Sequence, residues 1–312
     1  MSGFLVKQPG LLTLIQDAGR YGQHRIGLTT GGPLDGEAFK WANRLCGNEL
    51  DATGLEVSIG GLVLEAQVDT ALAVTGADMP FKINGQDVAR WCTHKVKAGD
   101  KIELGFATSG SRAYLTVAGG FNIGQSFSST ATVTREAVGG LSGDKLKQGD
   151  LLPCQAHRPT ALWALPESEQ PDYNADVTLR VILGYQHRTF DSVQQRLFFS
   201  SEYVLSSRAD RMGFRLEGQP VKSQLNGILS EGICHGAIQI PADGQPIVLL
   251  NDRQTIGGYP KIGSVVSRDT AQLSQRMPGA KIRFEEISLE KAHNINCLAQ
   301  RRFINTSLQQ IA

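Results

Sequence analysis

Short apolar segments that end at turn residues are the dominant feature of this sequence. Most of them stop at Gly, Asp or Pro, as β-strands joined by tight turns do. Glycine supports the same interpretation: 35 of the 312 residues are glycine, whereas glycine makes up about 7% of an average soluble protein. We therefore predict strands at residues 62–65, 71–75, 101–106, 112–117, 177–183, 237–240, 247–250 and 281–284.

Helical patterning is sparse by comparison. The clearest helix begins near Asp35, a residue suited to capping a helix N-terminus, and runs to Gly47, which is typical of a C-terminal cap. Weaker helical patterns lie at 191–198, 269–277 and 288–303. Because strands and helices do not alternate regularly, a doubly wound parallel sheet is disfavoured. The sequence predicts a mainly β fold with a few helices, arranged as barrels or sandwiches.

A polar segment that contains several prolines divides the chain into two predicted domains. Pro159, Pro166 and Pro171 lie there among acidic residues, which is typical of a linker. We predict an N-terminal β-rich domain at 1–155, a linker at 156–174 and a C-terminal β-rich domain at 175–312.

Charge and composition disfavour several functions. The formal net charge is +1 and the Lys and Arg residues are scattered, so no basic patch for nucleic acid is predicted. No long apolar run follows the first residues, so we expect a cytoplasmic protein with neither a signal peptide nor a membrane partner. The five cysteines and six histidines are widely spaced, so neither a disulfide framework nor a metal site is predicted.

Three polar side chains follow an apolar run near the N-terminus. Gln16, Asp17 and Arg20 come directly after this run and are flanked by glycines. A strand that enters a tight loop would present these three groups together, which makes them candidate ligand contacts. A structural pair of Asp17 with Arg20, closing the turn, explains the pattern equally well.

A second polar constellation contains three arginines and one aspartate, namely Arg208, Asp210, Arg211 and Arg215. A guanidinium group suits the recognition of carboxylate or phosphate because it donates two parallel hydrogen bonds. The alternative is a solvated loop with surface ion pairs, which contribute little to stability.

The segment with the most candidate site residues begins with a predicted hairpin. Residues 237–240 and 247–250 are apolar and flank the turn residues 242–245. Two strands separated by such a turn are expected to pair as a β-hairpin.

A polar loop with two adjacent glycines follows the hairpin, at 251–260. Glycine lets the backbone approach a ligand, and loops on a rigid sheet commonly carry function. In this loop, the chemistry suits Asp252 as an acid or base, Arg253 as an anion clamp and Tyr259 as a donor to a developing oxyanion. A turn that satisfies its own polar groups is the alternative.

Taken together, these segments resemble the family of biotin-dependent carboxyltransferase-like proteins, which includes the C subunit of 5-oxoprolinase and the second subunit of allophanate hydrolase. The resemblance spans nearly the whole chain, and its motifs are specific only as a set. It is carried by residues 13–22, 31–35, 42–45, 47–48, 55–57, 74–78, 113–120, 210–213 and 244–260. The resemblance implies a cyclophilin-like β-barrel, placed in the C-terminal domain, an obligate partner subunit of related architecture, and a ligand site near the interface between them.

For stand-alone bacterial members, the resemblance implies ATP-dependent cleavage of 5-oxoproline to L-glutamate. This chain would be the C subunit, working with 5-oxoprolinase subunits A and B. A lactam is a resonance-stabilised amide, and phosphorylation of its oxygen would make the ring carbon easier for water to attack. The resemblance assigns this activation to subunits B and C, and the completion of hydrolysis to the A subunit. The sequence contains no common nucleotide-binding motif that would place ATP in this chain.

Motif position and side-chain chemistry give the predicted site residues. Catalytic roles are predicted for Asp252, Gln254, Tyr259 and Arg211, and substrate contacts for Gln16, Asp17, Arg20, Gln239 and Arg253.

Two other functions stay open on the sequence. The first is a carboxyltransferase subunit that uses biotin and acts on urea or a similar small amide. A separate carrier would have to supply the biotin, because the chain has no Met-Lys-Met segment. The second is a non-catalytic regulator that binds an inhibitor of a histidine kinase and needs no catalytic residue.

Overall fold

The structure is a computed structural model that describes residues 2–225 and 227–311, and these residues form two units. The first unit comprises the residues up to Tyr21, Gly31–Asn174 and the residues from Thr306 onward. The second comprises Gly22–Thr30 and Ala175–Asn305. The predicted linker, 156–174, is therefore part of the first unit, where its short strand pairs with the C-terminal segment.

The chain contains many short strands and few helices. In chain order the strands are β1 (Gly3–Pro9), β2 (Leu12–Gln16), β3 (Gly54–Ser58), β4 (Leu62–Ala66), β5 (Thr70–Asp78), β6 (Phe81–Ile83), β7 (Gln86–Asp87), β8 (Thr93–Val96), β9 (Lys101–Leu104), β10 (Ser109–Val117), β11 (Leu151–Pro153), β12 (Trp163–Ala164), β13 (Val177–Leu183), β14 (Tyr203–Ala209), β15 (Gly213–Glu217), β16 (Glu231–Gly232), β17 (Ala237–Gln239), β18 (Ile247–Leu249), β19 (Ile256–Gly257), β20 (Lys261–Val265), β21 (Lys281–Glu286) and β22 (Gln309–Gln310). The α-helices are α1 (Gly36–Leu45), α2 (Ser192–Ser200), α3 (Ser267–Ser274) and α4 (Leu289–Asn305).

Two antiparallel sheets build the first unit. One has the order β11-β1-β4-β9-β6-β7 and the other the order β2-β3-β10-β5-β8. Apolar side chains of both sheets, such as Phe4 and Leu64 from one and Val57 and Leu115 from the other, belong to a single buried cluster. The fold of this unit is thus a β-sandwich, whose core contributes about 25 cal/mol for each Å² of apolar surface buried.

Helix α1 packs on the five-stranded sheet. Asp35 caps its N-terminus, accepting a hydrogen bond of 3.0 Å from the Ala38 N–H, which confirms the cap predicted from the sequence. The Thr75 hydroxyl of β5 donates to the Ala38 carbonyl at 2.7 Å. The ring of Phe39 packs edge-on against Tyr114 of β10. These contacts join the helix to the centre of the sheet.

A buried polar network fixes the turn before α1. The Glu56 carboxylate accepts hydrogen bonds from the Leu34 N–H at 2.8 Å and the Tyr114 hydroxyl at 2.9 Å. The Tyr114 oxygen in turn accepts from the Asp35 N–H at 2.7 Å. Burial, together with the neighbouring Glu56 and Asp35 charges, raises the pKa of Tyr114 well above its usual value. The phenol therefore stays protonated and keeps donating to Glu56.

A closed barrel forms the second unit, with the strand order β13-β20-β17-β18-β15-β14-β21. The parallel pairing of β13 with β21 closes it, and the other neighbours are antiparallel. The predicted hairpin is confirmed, since Ile238 of β17 pairs with Val248 of β18.

The mainly β fold class with a barrel is confirmed. The α-helices of the structure begin and end within a few residues of the predicted ones, a difference that is normal for frayed helix ends. Within the described residues, no helix combines the length and the apolar character needed to cross a membrane.

We predict that Tyr114→Phe lowers the free energy of unfolding by about 1–3 kcal/mol, because it leaves the buried Asp35 N–H without its acceptor. Tyr21→Phe is the matched control, since Tyr21 is 72% exposed. Its free energy of unfolding should stay within about 0.5 kcal/mol of the wild-type value. Urea denaturation of both variants measures the difference. Equal stabilities would contradict a structural role for the network.

Candidate functional site

A cavity of about 540 Å³ in the second unit is the candidate site. Val248 and Phe214 are at most 2% exposed, as expected for side chains that fill the barrel interior. Their chain neighbours Ile247, Leu249 and Arg215 line the cavity instead. Because successive side chains of a strand point to opposite faces, the cavity lies on the outer face of the barrel wall.

The polar loop that follows β18 covers this face. Arg253 is 6% exposed and donates hydrogen bonds to the Ile233 carbonyl through Nε at 3.1 Å and to the Leu250 carbonyl through Nη1 at 3.2 Å. Arg253, Gln254 and Tyr259 all line the cavity. The loop therefore brings together three of the residues predicted from its sequence.

Gly257 allows the loop to approach the barrel closely. A Cβ atom at this position would lie 2.4 Å from Ile233 Cδ1 and 2.7 Å from Gln239 Nε2. A larger residue would require the ends of the Ile233 and Gln239 side chains to shift, so this glycine serves close packing.

Gln239 presents an amide to the cavity. It is 6% exposed and lines the cavity. Its amide is not among the described buried polar atoms that lack a partner, so the amide is open to the cavity. An amide open to a cavity can donate a hydrogen bond to a ligand and accept one from it. Gln239 is therefore the strongest single indication of a ligand site.

Arg211 and Asp252 form a buried ion pair beside the cavity. Arg211 Nε donates to Asp252 Oδ2 at 2.8 Å and Nη2 to Oδ1 at 2.9 Å, and both side chains are at least nine-tenths buried. The Asp252 N–H also donates to the Arg211 carbonyl. Neither residue is among those lining the cavity. This geometry suits a role in positioning the loop, and the catalytic roles inferred from the sequence stay predictions.

A second ion pair holds the segment that pairs with this loop. Strand β16 pairs with β19, and the Glu231 carboxylate of β16 forms an ion pair with Lys261 of β20. Gln186 donates to the same Glu231 oxygen at 2.8 Å. Lys261, together with the other donors, holds the pKa of Glu231 below its usual value. The carboxylate thus stays charged and ties β16 to the barrel.

His235 interacts with two residues of the loop, Asn251 and Arg253, in its neutral state. Burial is the largest cause that lowers its pKa to about 4, and the charge of Arg253 acts in the same direction. A hydrogen bond with Asn251 opposes both effects. The imidazole therefore adds no charge near Arg253 at neutral pH.

The predicted ligand contacts near the N-terminus belong to the first unit, whereas the other site residues belong to the second. Gln16 donates to the Thr132 carbonyl, and Arg20 donates to the Ser126 and Ala131 carbonyls.

Asp17 holds the same segment of the chain. Its carboxylate accepts from the Ser129 hydroxyl and the Thr130 N–H, both at 2.6 Å. Gln16, Asp17 and Arg20 thus fasten residues 126–132 to the end of β2, and their role as ligand contacts stays a prediction.

Two cavity residues were missed by the sequence interpretation. Arg208 and Arg215 line the cavity, yet only Arg211 of this arginine cluster was assigned to the site. The available signal was the position of Arg215 between the apolar Phe214 and Leu216, which places it on the opposite face of β15. Among the residues that the structure describes, no three His, Cys, Asp or Glu side chains form a metal site.

The pKa of His235 predicts a pH dependence of stability. The folded protein keeps His235 neutral down to about pH 4, while the unfolded chain takes up its proton near 6.5. Stability should therefore fall as the pH drops from 6.5 to 4, by on the order of 2 kcal/mol from this residue. In His235→Gln, the free energy of unfolding should change less between pH 6.5 and 4.

Urea denaturation at a series of pH values measures this effect. His293→Gln, at an exposed position of α4, is the control and should follow the wild-type curve. A His235→Gln curve that parallels the wild type between pH 6.5 and 4 would contradict the assignment.

Comparison with known proteins supports the fold and the family. The family described as carboxyltransferase domain, subdomain A and B, matches residues 26–286. The chain is 36% identical to the 5-oxoprolinase C subunit of Escherichia coli over 295 residues, which cover 94% of each protein. It is also 36% identical to the 5-oxoprolinase C subunit of Haemophilus influenzae, with 89% of each protein covered.

The solved structure of the K. lactis urea amidolyase resembles the chain with a TM-score of 0.91 at 27% identity. The match covers 98% of this chain but only 20% of that protein. Since the family match extends over most of the chain and the bacterial relatives match along nearly their whole length, the chain belongs to the carboxyltransferase domain family, subdomain A and B.

Proposed function

We propose that the chain is the C subunit of an ATP-dependent 5-oxoprolinase, which cleaves 5-oxoproline to L-glutamate together with subunits A and B. The observation that carries the proposal is the buried Gln239 amide, which faces the cavity. The similarity to the bacterial C subunits supports it. On this proposal the chain works in the cytoplasm as part of a hetero-oligomer.

A primary amide is complementary to a lactam. The lactam N–H and carbonyl lie on the same edge of the ring, so the Gln239 amide can accept from one and donate to the other. A bound lactam would thus pair with both polar atoms of the amide, and loss of either hydrogen bond would weaken its binding.

The remaining cavity residues are suited to stabilising charge. Attack on the ring carbon moves negative charge onto the lactam oxygen, and preformed donors lower the energy of that state. Tyr259 and Gln254 offer such donors from the loop, while the buried Arg253 supplies a fixed positive charge. The Arg211 and Asp252 pair holds the loop in place.

ATP is assigned to the complex, and its site is not located. The sequence lacks the glycine-rich loops that commonly cradle phosphates. The proposal therefore takes no step of ATP chemistry through the residues of this chain.

A biotin-dependent carboxyltransferase acting on urea or a similar amide is the second candidate. The observation in its favour is the structural likeness to the K. lactis urea amidolyase. Urea also offers an N–H and a carbonyl on one edge, so it could pair with Gln239 in the same way.

We expect coupled ATP hydrolysis and glutamate release from 5-oxoproline when this chain is reconstituted with subunits A and B. Gln239→Leu should lower kcat/KM by about 100-fold, because one pair of positioned hydrogen bonds is lost. Gln272→Leu, at an exposed position of α3, is the control and should retain turnover. No turnover by a stable complex would reject the assignment, and carboxylation of urea with a biotinylated carrier would support the second candidate.

The positioning role of the buried ion pair predicts strong coupling. Asp252→Asn and Arg211→Gln should each lower stability by about 3 kcal/mol, and the double variant should lose little more than either one. Both single variants should reduce turnover to a similar extent. A far larger loss of turnover for Asp252→Asn would instead support the proton-transfer role predicted from the sequence.

A further inference from the structure

Arg208 and Arg215 lie on neighbouring strands that form one wall of the cavity. Leu205 of β14 pairs with Leu216 of β15, and Ala209 pairs with Phe214, so the register shifts between them. Such a bulge redirects side chains. It explains why Arg208 lines the cavity together with its neighbour Ala209, although adjacent strand residues normally point to opposite faces.

The cavity wall carries an excess of positive charge. Arg208, Arg215 and Arg253 line it, and Asp210 is the only acidic residue in the described lining. The Asp210 carboxylate accepts hydrogen bonds from the Met212 and Gly213 N–H groups at 2.8 and 3.2 Å. It keeps its charge, but the three guanidinium groups outnumber it among the lining residues.

The present partners of Arg208 and Arg215 are weak ones. Arg208 lies 3.5 Å from Glu217, with both side chains more than half exposed. Arg215 lies 3.1 Å from Asp243, whose side chain is 49% exposed. Exposed ion pairs of this kind contribute about 0–1 kcal/mol. A ligand anion can replace them at little cost.

We propose that Arg208 and Arg215 form an oxyanion subsite of this cavity, separate in chemistry from the amide recognition by Gln239. Guanidinium groups bind carboxylate and phosphate alike, through paired N–H donors. The anion is therefore either the carboxylate of a lactam acid or inorganic phosphate. The carboxylate form rests on the proposed function, whereas the phosphate form does not.

The cavity is large enough for a ligand that spans both groups. A cavity of about 150 Å³ holds benzene, and pockets of about 300–1,000 Å³ bind small molecules of drug size. At about 540 Å³ the cavity has room for a five-membered lactam with its carboxylate.

Calorimetric titration of the full chain with three probes tests the subsite. The probes are inorganic phosphate, 5-oxoproline and 2-pyrrolidinone, which is the same lactam without the carboxylate. The variants are Arg208→Gln, Arg215→Gln and their combination. Arg283→Gln is the control, because Arg283 is exposed like Arg208 and is paired with Glu202, but it belongs to β21 and does not line the cavity.

We expect the double variant to bind the anionic probe at least about tenfold more weakly, while 2-pyrrolidinone binding stays unchanged. If the double variant loses binding of 5-oxoproline but not of phosphate, the anion is the carboxylate. If it loses binding of phosphate but not of 5-oxoproline, the anion is phosphate. Each result supports the subsite.

The subsite is rejected if the wild type binds neither anion, or if the double variant binds them as the wild type does. Phosphate binding that depends on the arginines, without any 5-oxoproline binding, keeps the subsite but rejects the proposed substrate. Coupled turnover by the complex that is unaffected by the double variant keeps the proposed function and rejects the carboxylate form of the subsite.

Discussion

Successive side chains of a β-strand point to opposite faces, and a closed barrel must fill its interior with one of the two sets. In β18, Val248 is fully buried by the barrel, while Ile247 and Leu249 stand on the outer face. These two apolar side chains need a cover, because exposed apolar surface is unfavourable. Ile233 and Ala237 pack with them in one apolar cluster, and the loop after β18 adds polar residues to the cavity beside it. The alternation of inward and outward side chains that fills the barrel interior thus also determines where a ligand site can form.

Two contacts that add little net stability hold the loop at 251–260 in its position. Desolvation offsets much of the attraction between Arg211 and Asp252, so the pair mainly specifies one loop position. Gly257 adds a close approach to Gln239, whose side chain would have to shift if residue 257 carried a Cβ atom. A loop fixed in this way loses little further freedom when a ligand binds, and such preorganisation favours affinity.

Local patterns predicted most of the elements, such as the hairpin of β17 and β18, because strand and helix periods and turn residues are properties of short segments. The site was partly predictable for the same reason, since Arg253, Gln254 and Tyr259 share one loop. Arg208 lines the cavity only because of a bulge, and the register of a strand pair depends on both strands. The hydrogen bond that Asp17 accepts from the Thr130 N–H spans more than one hundred positions. No local pattern encodes either feature.

A net charge of +1 for the whole chain conceals a local excess, since the fold gathers three arginines around one cavity. Gln239 adds a neutral amide to the same cavity. A ligand that has only an amide edge, such as urea, satisfies Gln239 but leaves the arginines with their weak surface partners. A lactam acid satisfies both kinds of group, and each additional pairing of a buried or charged group increases the discrimination between ligands. The combination of groups in the cavity therefore favours a lactam acid over urea.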